Sequence, residues 1–338
     1  MELVLSLAAI LGAAVFFTNA VEILGERLNL GSGAVGSILA AVGTALPETM
    51  IPVVALIAAA LSGGSAGAAA SEIGIGAILG APFLLATLAM FVVGVSVLGF
   101  QGRRESGTEL VINKRVVGRD IGFFFVCFAI AAGAGVVALP TYVKVIVAIL
   151  LVGAYAVYVW WTIMSGGESE AEGPHDLTLW PESSWGQAPT WVVVGQLLAS
   201  LVVMVLGARF FVHSVEEISS SLGIPAGLVA LVLAPLATEL PEKFNSVIWL
   251  KDDKDTMAFG NITGAMVFQS TLPVTLGLLL TRWELGFIET FSVILALLGG
   301  MGLLVLLLRK GPIQTWYLLG GGVLYAVFLV VAVYTLVA

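Results

Sequence analysis

Two short stretches of the chain hold the residues best suited to bind a charged ligand, and the second nearly repeats the first. Residues 43–48 read GTALPE, and residues 237–242 read ATELPE. Each stretch places a threonine, a proline and a glutamate inside an apolar run long enough to cross a bilayer. An ionised carboxylate inside a membrane helix costs about 2.5–3.5 kcal/mol on insertion scales. Because the chain carries this cost twice, at matching places, we expect Glu48 and Glu242 to bind a cation.

The prolines of these stretches add further oxygen ligands. A proline has no N–H, so the carbonyl four residues before it loses its helical hydrogen bond. The resulting ligand set contains only oxygen, which suits hard cations such as Ca²⁺, and Na⁺ would accept a subset of it. An isolated TxLP sequence more often only kinks a helix, whereas a second copy with its own glutamate favours a cation site. The predicted ligands are the carboxylates, hydroxyls and freed carbonyls of Glu48, Glu242, Thr44, Thr238, Gly43 and Ala237.

The composition places these stretches in a membrane protein. Of 338 residues, 59% are hydrophobic and 11% are charged, and the mean hydropathy is +1.07. Soluble domains carry roughly 25% charged residues. Cys127 is the single cysteine, so an intrachain disulfide is excluded and redox chemistry is not expected. The net charge of −8, with few basic residues, argues against a nucleic-acid partner.

Apolar runs of about 20 residues predict transmembrane helices. We predict an all-α integral membrane protein with ten transmembrane helices, five on each side of a polar linker at 165–189. The N-terminal run lacks the basic start of a cleavable signal and is predicted to be the first span. The predicted spans are 3–24, 33–61, 72–99, 119–138, 141–164, 190–213, 224–250, 257–281, 286–308 and 313–337.

Lysine and arginine residues predict the orientation, because they accumulate in cytoplasmic loops. The loops that follow the first, third, seventh and ninth spans are basic, and Arg282 is the main exception on the opposite side. Both termini are therefore predicted to face outward, in the cell membrane. The linker 165–189 would lie inside although it is acidic. A solvated tether is the preferred interpretation of this linker, with a calcium sensor as the alternative. Asp252, Asp253 and Asp255 are likewise predicted to be solvated in a cytoplasmic loop.

The two halves of the chain are related by a repeat. At an offset of 194 residues, Phe16–Phe17 meets Phe210–Phe211 and Pro47 meets Pro241. Five spans per half is an odd number, so the halves must insert with opposite orientation. Such inverted repeats place a substrate site near the membrane midplane. We assign 1–164 to the first five-helix repeat, with its core at about 16–90, and 190–338 to the second, with its core at about 210–280.

These motifs resemble those of a known family. GTALPE and ATELPE are similar to the GTSLPE signatures of the two α-repeats in the calcium/cation antiporter superfamily. The stretch 260–265, GNITGA, resembles the GNxxGS of its second repeat. The resemblance spans the whole chain. It implies that Glu48 and Glu242 bind Ca²⁺ with help from Thr44, Thr238 and backbone oxygens. It also implies transported cations (Ca²⁺, Na⁺ or H⁺) rather than a cofactor.

The departures from the family pattern concern the ligands for Na⁺. Glu239 lies three residues before Glu242, on the same helical face, and is predicted to supply a third carboxylate next to Lys243. Several oxygens that would build separate Na⁺ sites are missing, which favours H⁺ as the exchange partner. Where the family has serine after the threonine, this chain has Ala45 and Glu239. Where the family has Asn or Asp in the third helix of each repeat, this chain has Ile78 and Met266. The following Asn of the family is replaced by Ala81 and Gln269.

The sequence therefore predicts a secondary active antiporter that works by alternating access between the bilayer faces. Three alternatives stay open: an exchanger driven by Na⁺ alone, a passive cation channel, and an intramembrane enzyme. The enzyme is disfavoured because the chain has no HExxH motif and only two histidines, His175 and His213, both distant in sequence from the motif glutamates. The sequence leaves the oligomeric state open.

Overall fold

A computed structural model describes residues 1–27, 35–62, 64–164, 177–180, 188–309 and 311–337. Almost all of these residues are helical. The helices are α1 Glu2–Arg27, α2 Val35–Ser62, α3 Gly64–Leu84, α4 Met90–Phe100, α5 Lys114–Val136, α6 Thr141–Met164, α7 Thr190–Leu222, α8 Ala226–Glu242, α9 Phe244–Lys251, α10 Asp255–Gln269, α11 Leu272–Leu280, α12 Phe287–Leu308 and α13 Leu319–Val337. A π-helical turn, Leu85–Ala89, joins α3 to α4, a 3-10 turn, Thr315–Leu318, precedes α13, and two strands, β1 Glu109–Leu110 and β2 Ile313–Gln314, pair antiparallel.

The lengths of these helices fit a protein that crosses the membrane several times. Within the described residues, eight helical segments are long and apolar enough to span a bilayer. Two shorter apolar helical stretches, Pro47–Ser62 within α2 and Ala226–Leu240 within α8, belong to the predicted second and seventh spans. The chain is thus an all-α, multi-pass membrane protein, and the count of ten spans stays a prediction.

Several helix ends differ from the predicted spans. Helix α5 begins at Lys114 rather than 119, because the Asn113 side chain accepts hydrogen bonds from the N–H groups of Arg115 (3.2 Å) and Val116 (3.3 Å). Helix α7 continues past 213 to Leu222 and ends where Gly223 takes a left-handed φ of 67°. Such caps depend on single side chains, which hydropathy does not register.

The predicted seventh and eighth spans are each broken into two helices. Helix α8 ends at Glu242, one residue after Pro241, and α9 starts at Phe244. Helix α10 ends at Gln269, and α11 starts at Leu272 with Pro273 in its first turn. A proline ends or kinks a helix because it removes one hydrogen bond and clashes with the preceding turn. At membrane depth, broken backbone is tolerated where it is buried in protein or lines a polar cavity.

The two halves of the chain meet backbone to backbone. A Cβ atom added at Gly76 of α3 would overlap the carbonyl oxygen of Gly227, at the start of α8. One at Gly80 would overlap the carbonyl oxygen of Leu231. Small residues allow this close approach of membrane helices. The glycines therefore fix α8, which carries the second motif, against α3.

Helices α1 and α7 pack along each other, largely outside the main apolar core. Phe17 and Met204 form a buried cluster between them. The linker contributes a contact at one end of this pair, where Thr178 donates hydrogen bonds of 2.9 Å from N and Oγ1 to Asn19 Oδ1. Leu177 is buried against Ala20. This part of the linker is thus docked rather than a free tether, while 165–176 and 181–187 lie outside the described residues.

The prediction that the aspartates near 252–255 are all solvated is wrong for Asp255. Its carboxylate is buried and accepts hydrogen bonds from both terminal nitrogens of Arg104, at 2.8 and 2.9 Å. Asp253 is partly exposed and accepts a 2.5 Å hydrogen bond from Ser106 Oγ. Burial by itself would raise the pKa of Asp253, but hydrogen bonds from Ser106 and Glu105 and the charge of Arg104 lower it overall. These contacts join the loop before β1 to the loop before α10.

Candidate cation site

The first motif lies within α2, and its glutamate faces the protein interior. Glu48 has only 8% of its side chain exposed. Pro47 and Pro52 flank it inside the same helix, so two carbonyls nearby lack their helical donors. Thr49 does not compete for the carboxylate, because its hydroxyl donates a 2.7 Å hydrogen bond to the Ala45 carbonyl. A buried carboxylate on a helix with two freed carbonyls is suited to a cation.

The second motif forms the last turns of α8. Thr238 is 2% exposed and donates a 3.1 Å hydrogen bond from Oγ1 to the Ala234 carbonyl. This bond uses the hydroxyl proton and leaves lone pairs on the oxygen, which a metal ion could use. Pro241 has no N–H for the Ala237 carbonyl. The second motif thus retains the hydroxyl and carbonyl ligands that the sequence predicts.

The two motifs lie on helices that share one apolar cluster. Ile51, one turn after Glu48, and Ala234, one turn before Thr238, are both buried in it. Gly43, whose carbonyl is a predicted ligand, lies within α2. The side chains of Thr44 and Glu242 lie outside the described part of the structure. Their predicted roles, like the whole predicted ligand set, stay predictions.

Glu239 is the motif residue whose surroundings are most fully defined. Its side chain has no exposed surface. Oε1 accepts a 2.9 Å hydrogen bond from Gln269 Nε2 at the end of α10. Oε2 lies 3.4 Å from the ammonium nitrogen of Lys243, which is also buried. The sequence anticipated a lysine near this carboxylate, but the structure adds the pairing and the role of Gln269.

The positions at which the family pattern has polar residues are apolar and buried here. Ile78, Ala81 and Met266 are at most 3% exposed. None of these residues has a side-chain oxygen, so none of their side chains can ligate Na⁺. Among the four positions in α3 and α10 at which the family pattern has polar residues, only Gln269 keeps a polar group, and that group is hydrogen-bonded to Glu239.

The sequence-based predictions do not include a further buried carboxylate, Asp120 in α5. Its Oδ1 accepts hydrogen bonds from Tyr158 (3.1 Å) and Arg119 (3.0 Å), and Oδ2 accepts one of 2.8 Å from Thr263. The guanidinium of Arg119 also lies 5.1 Å from the centre of the Tyr158 ring. An aspartate inside a membrane helix is itself a signal of a function or a buried partner. The predicted fourth span begins at 119, so the sequence puts Asp120 at the membrane edge rather than in the protein interior.

Comparison with known sequences supports the resemblance of the motifs. The sequence profile of the sodium/calcium exchanger protein family matches residues 2–164 and, separately, 192–337. The chain belongs to the sodium/calcium exchanger protein family. The predicted kinship with calcium/cation antiporters is therefore confirmed, and with it the class of membrane cation antiporter. This family consists of transporters, which agrees with the prediction that the protein is not an enzyme.

One relative with a described role is similar to this chain at low sequence identity. CaxA of Alkalimonas amylolytica, a proposed antiporter, is 23% identical over 260 residues, which cover 75% of this chain and 71% of that protein.

Solved structures with the exchanger fold cover nearly the whole chain. The crystal structure of the H⁺/Ca²⁺ exchanger CAX gives a TM-score of 0.70 at 18% identity, over 97% of this chain and 80% of that chain. Native YfkE gives 0.67 at 13% identity, over 98% and 90%. The sodium-calcium exchanger NCX_Mj gives 0.57 at 19% identity, over 97% of both chains. At these identities the comparisons establish a common fold.

Proposed function

We propose that the protein is a secondary active antiporter that moves Ca²⁺ or a similar cation across the cell membrane in exchange for H⁺. The burial of the Glu48 carboxylate, in a proline-interrupted helix that packs against the helix of the second motif, is the observation that carries this proposal. An ionised carboxylate at membrane depth costs about 2.5–3.5 kcal/mol on insertion scales, and a bound cation would offset that cost.

The cation would lie between the two motifs. Glu48 and Glu242 supply two negative charges, which balance one divalent ion. Hydroxyl and carbonyl oxygens complete a shell of the hard ligands that Ca²⁺ prefers. Glu239 supplies a third carboxylate, whose charge is offset by Lys243. The proposed ligands are Glu48, Glu242, Thr44, Thr238, Glu239 and the carbonyls of Gly43 and Ala237.

The choice of H⁺ over Na⁺ follows from the residues around the site. Ile78, Ala81 and Met266 offer no oxygen for additional Na⁺ ions. When the metal leaves, the charge of the motif carboxylates must still be neutralised before the empty site can change its access from one side of the membrane to the other. Protons can do this without extra ligands, because they bind to the carboxylates directly. An exchanger driven by Na⁺ alone is the second candidate, favoured by the name of the family.

We further propose that the chain forms two inverted repeats of five spans, with both termini outside. The separate matches of the family profile to 2–164 and 192–337 support the repeat. The basic loops support the orientation. Alternating access would then arise when the paired helices α1 and α7 slide against the remaining helices, since part of their contact, around Phe17 and Met204, forms a cluster separate from the one shared with α2 and α8.

The test is metal uptake by the purified protein in sealed proteoliposomes. Uptake of ⁴⁵Ca²⁺ should follow an imposed pH gradient in Na⁺-free buffer and stop when the gradient is dissipated. Uptake that requires a Na⁺ gradient and ignores pH would establish the Na⁺-driven alternative. Uptake that needs no counter-ion gradient and does not saturate would indicate a passive channel.

A further inference from the structure

The Glu239–Lys243 pair includes one of the proposed metal ligands, and both of its residues lie near the junction of α8 and α9. Glu239 is on α8, and Lys243 is the residue at which α8 gives way to α9. Their side chains are four residues apart and both are buried. Gln269 of α10 holds the other carboxylate oxygen at 2.9 Å. The pair and the amide that contacts it thus all come from the second half of the chain.

The other half of the chain has no charge at the corresponding positions. Ala45 and Thr49 lie 194 residues before Glu239 and Lys243. There, the Thr49 hydroxyl donates a 2.7 Å hydrogen bond to the Ala45 carbonyl. Compared with the first half, the second half thus carries one additional negative group and one additional positive group at these positions. The difference leaves the net charge of the site unchanged.

The distance within the pair suggests how the lysine acts. Its ammonium lies 3.4 Å from Oε2, whereas tight charge-assisted hydrogen bonds are about 2.7–2.9 Å long. The ammonium therefore neutralises the carboxylate mainly as a charge. A small monovalent cation could do the same, because it would need only Glu239 and neighbouring oxygens.

We propose that the Lys243 ammonium is a tethered cation that fills a monovalent-cation position beside Glu239. This position would bind Na⁺, K⁺ or a small alkylammonium ion if the lysine were absent. The lysine then relieves the protein of any requirement for such an ion during transport. The inference rests on the proposed antiport only for its transport readout, because cation binding to the purified protein tests it separately.

The test compares three variants with the wild-type protein. Lys243→Ala removes the tethered cation and leaves Glu239 unpaired. Glu239→Ala combined with Lys243→Thr gives the second motif the residues of the first. Lys251→Ala, an exposed lysine at the end of α9, serves as the matched control. Ca²⁺ uptake and the melting temperature Tm are measured with N-methyl-D-glucamine, Na⁺, K⁺ or methylammonium as the only monovalent cation.

For Lys243→Ala, we expect uptake in N-methyl-D-glucamine to fall by about tenfold or more, because one member of a buried pair is left alone. Na⁺, K⁺ or methylammonium should restore uptake and raise the Tm in a saturable way. The control and the wild type should show neither dependence, and the Tm of the double variant, which lacks Glu239, should not respond to these cations. A Lys243→Ala protein that folds only when one of these cations is present during purification would give the same support.

The inference is overturned if Lys243→Ala transports equally well without these cations and its Tm does not respond to them. It is also overturned if the double variant, which lacks Glu239, shows the same cation dependence of the Tm as Lys243→Ala. Failure of wild-type uptake would contradict the proposed function instead. In that case, the cation dependence of the Tm still decides the inference.

Discussion

Thr263 donates a 2.8 Å hydrogen bond to the carboxylate of Asp120, and both side chains are buried. Thr263 belongs to the GNITGA stretch of α10, and Asp120 belongs to α5, 143 residues earlier in the chain. Tyr158 of α6 donates to the same carboxylate. The family-like stretch is therefore held by polar contacts from the first half of the chain.

Thr263→Val should weaken this junction without changing the size of the side chain. Hydrogen bonds between membrane helices contribute about 0.6 kcal/mol on average and at most about 1.7. Asp120 keeps its bonds to Tyr158 and Arg119, so we expect a small fall in Tm in detergent. Thr335→Val, at an exposed position whose hydroxyl bonds only within α13, is the control and should leave the Tm unchanged. Equal effects of the two variants would contradict the role of Thr263.

Glu48→Gln and Glu242→Gln should each abolish metal uptake. Each change removes one of the two charges that would balance a divalent ion, while the size of the side chain is kept. Uptake of ⁴⁵Ca²⁺ at low concentration is the measurement, and size-exclusion profiles check the fold. Full transport by either variant would refute a shared site between the motifs.

Arg104→Ala should destabilise the protein strongly. It leaves Asp255 as an uncompensated buried charge, and breaking such a pair costs about 3–5 kcal/mol. A second comparison uses the wild type, Arg104→Met, Asp255→Leu and the variant with both changes. The double change should lower the stability by less than the two single changes combined. Thermal unfolding in detergent of the four proteins of this cycle measures the coupling. Additive effects would show that the pair does not stabilise the loop junction.

The Asp253 carboxylate should make stability depend on pH at the acid end. Its pKa is lower in the folded protein than the ordinary value of about 3.9. Its ionised form therefore stabilises the fold, fully above that ordinary value and less as the pH falls through the folded pKa. The Tm difference between wild type and Asp253→Asn should be constant near neutral pH and shrink in acid. A difference that grows on acidification would have the wrong sign.

Thiol labelling tests the orientation, and the structure indicates which sites to use. Ser106 is a poor site because its hydroxyl bonds to Asp253 and Arg104, whereas Gln101 and Glu284 are exposed. In a Cys127→Ala background, an impermeant maleimide added to intact cells should label Glu284→Cys and spare Gln101→Cys. The opposite pattern would invert the proposed topology.

The sequence by itself determined the membrane class, the approximate spans and the kinship with cation exchangers. These features are local or repeated: bilayer thickness sets the length of an apolar run, and the twin motifs are short and self-similar. The family match confirmed the kinship. Pro241 and Pro273 lie at the two helix breaks, but the hydropathy pattern predicts one unbroken span at each of these places.

Only the tertiary structure decided which polar groups meet. Arg104 and Asp255 are 151 residues apart in the chain, and the sequence around Asp255 predicts only a solvated acidic loop. Glu239 and Lys243 are neighbours on one helix, yet their burial depends on α10, which brings Gln269 to the same carboxylate. Hydropathy reports how apolar a segment is. It cannot report the direction of a side chain or its distant partner, because both depend on how the helices pack.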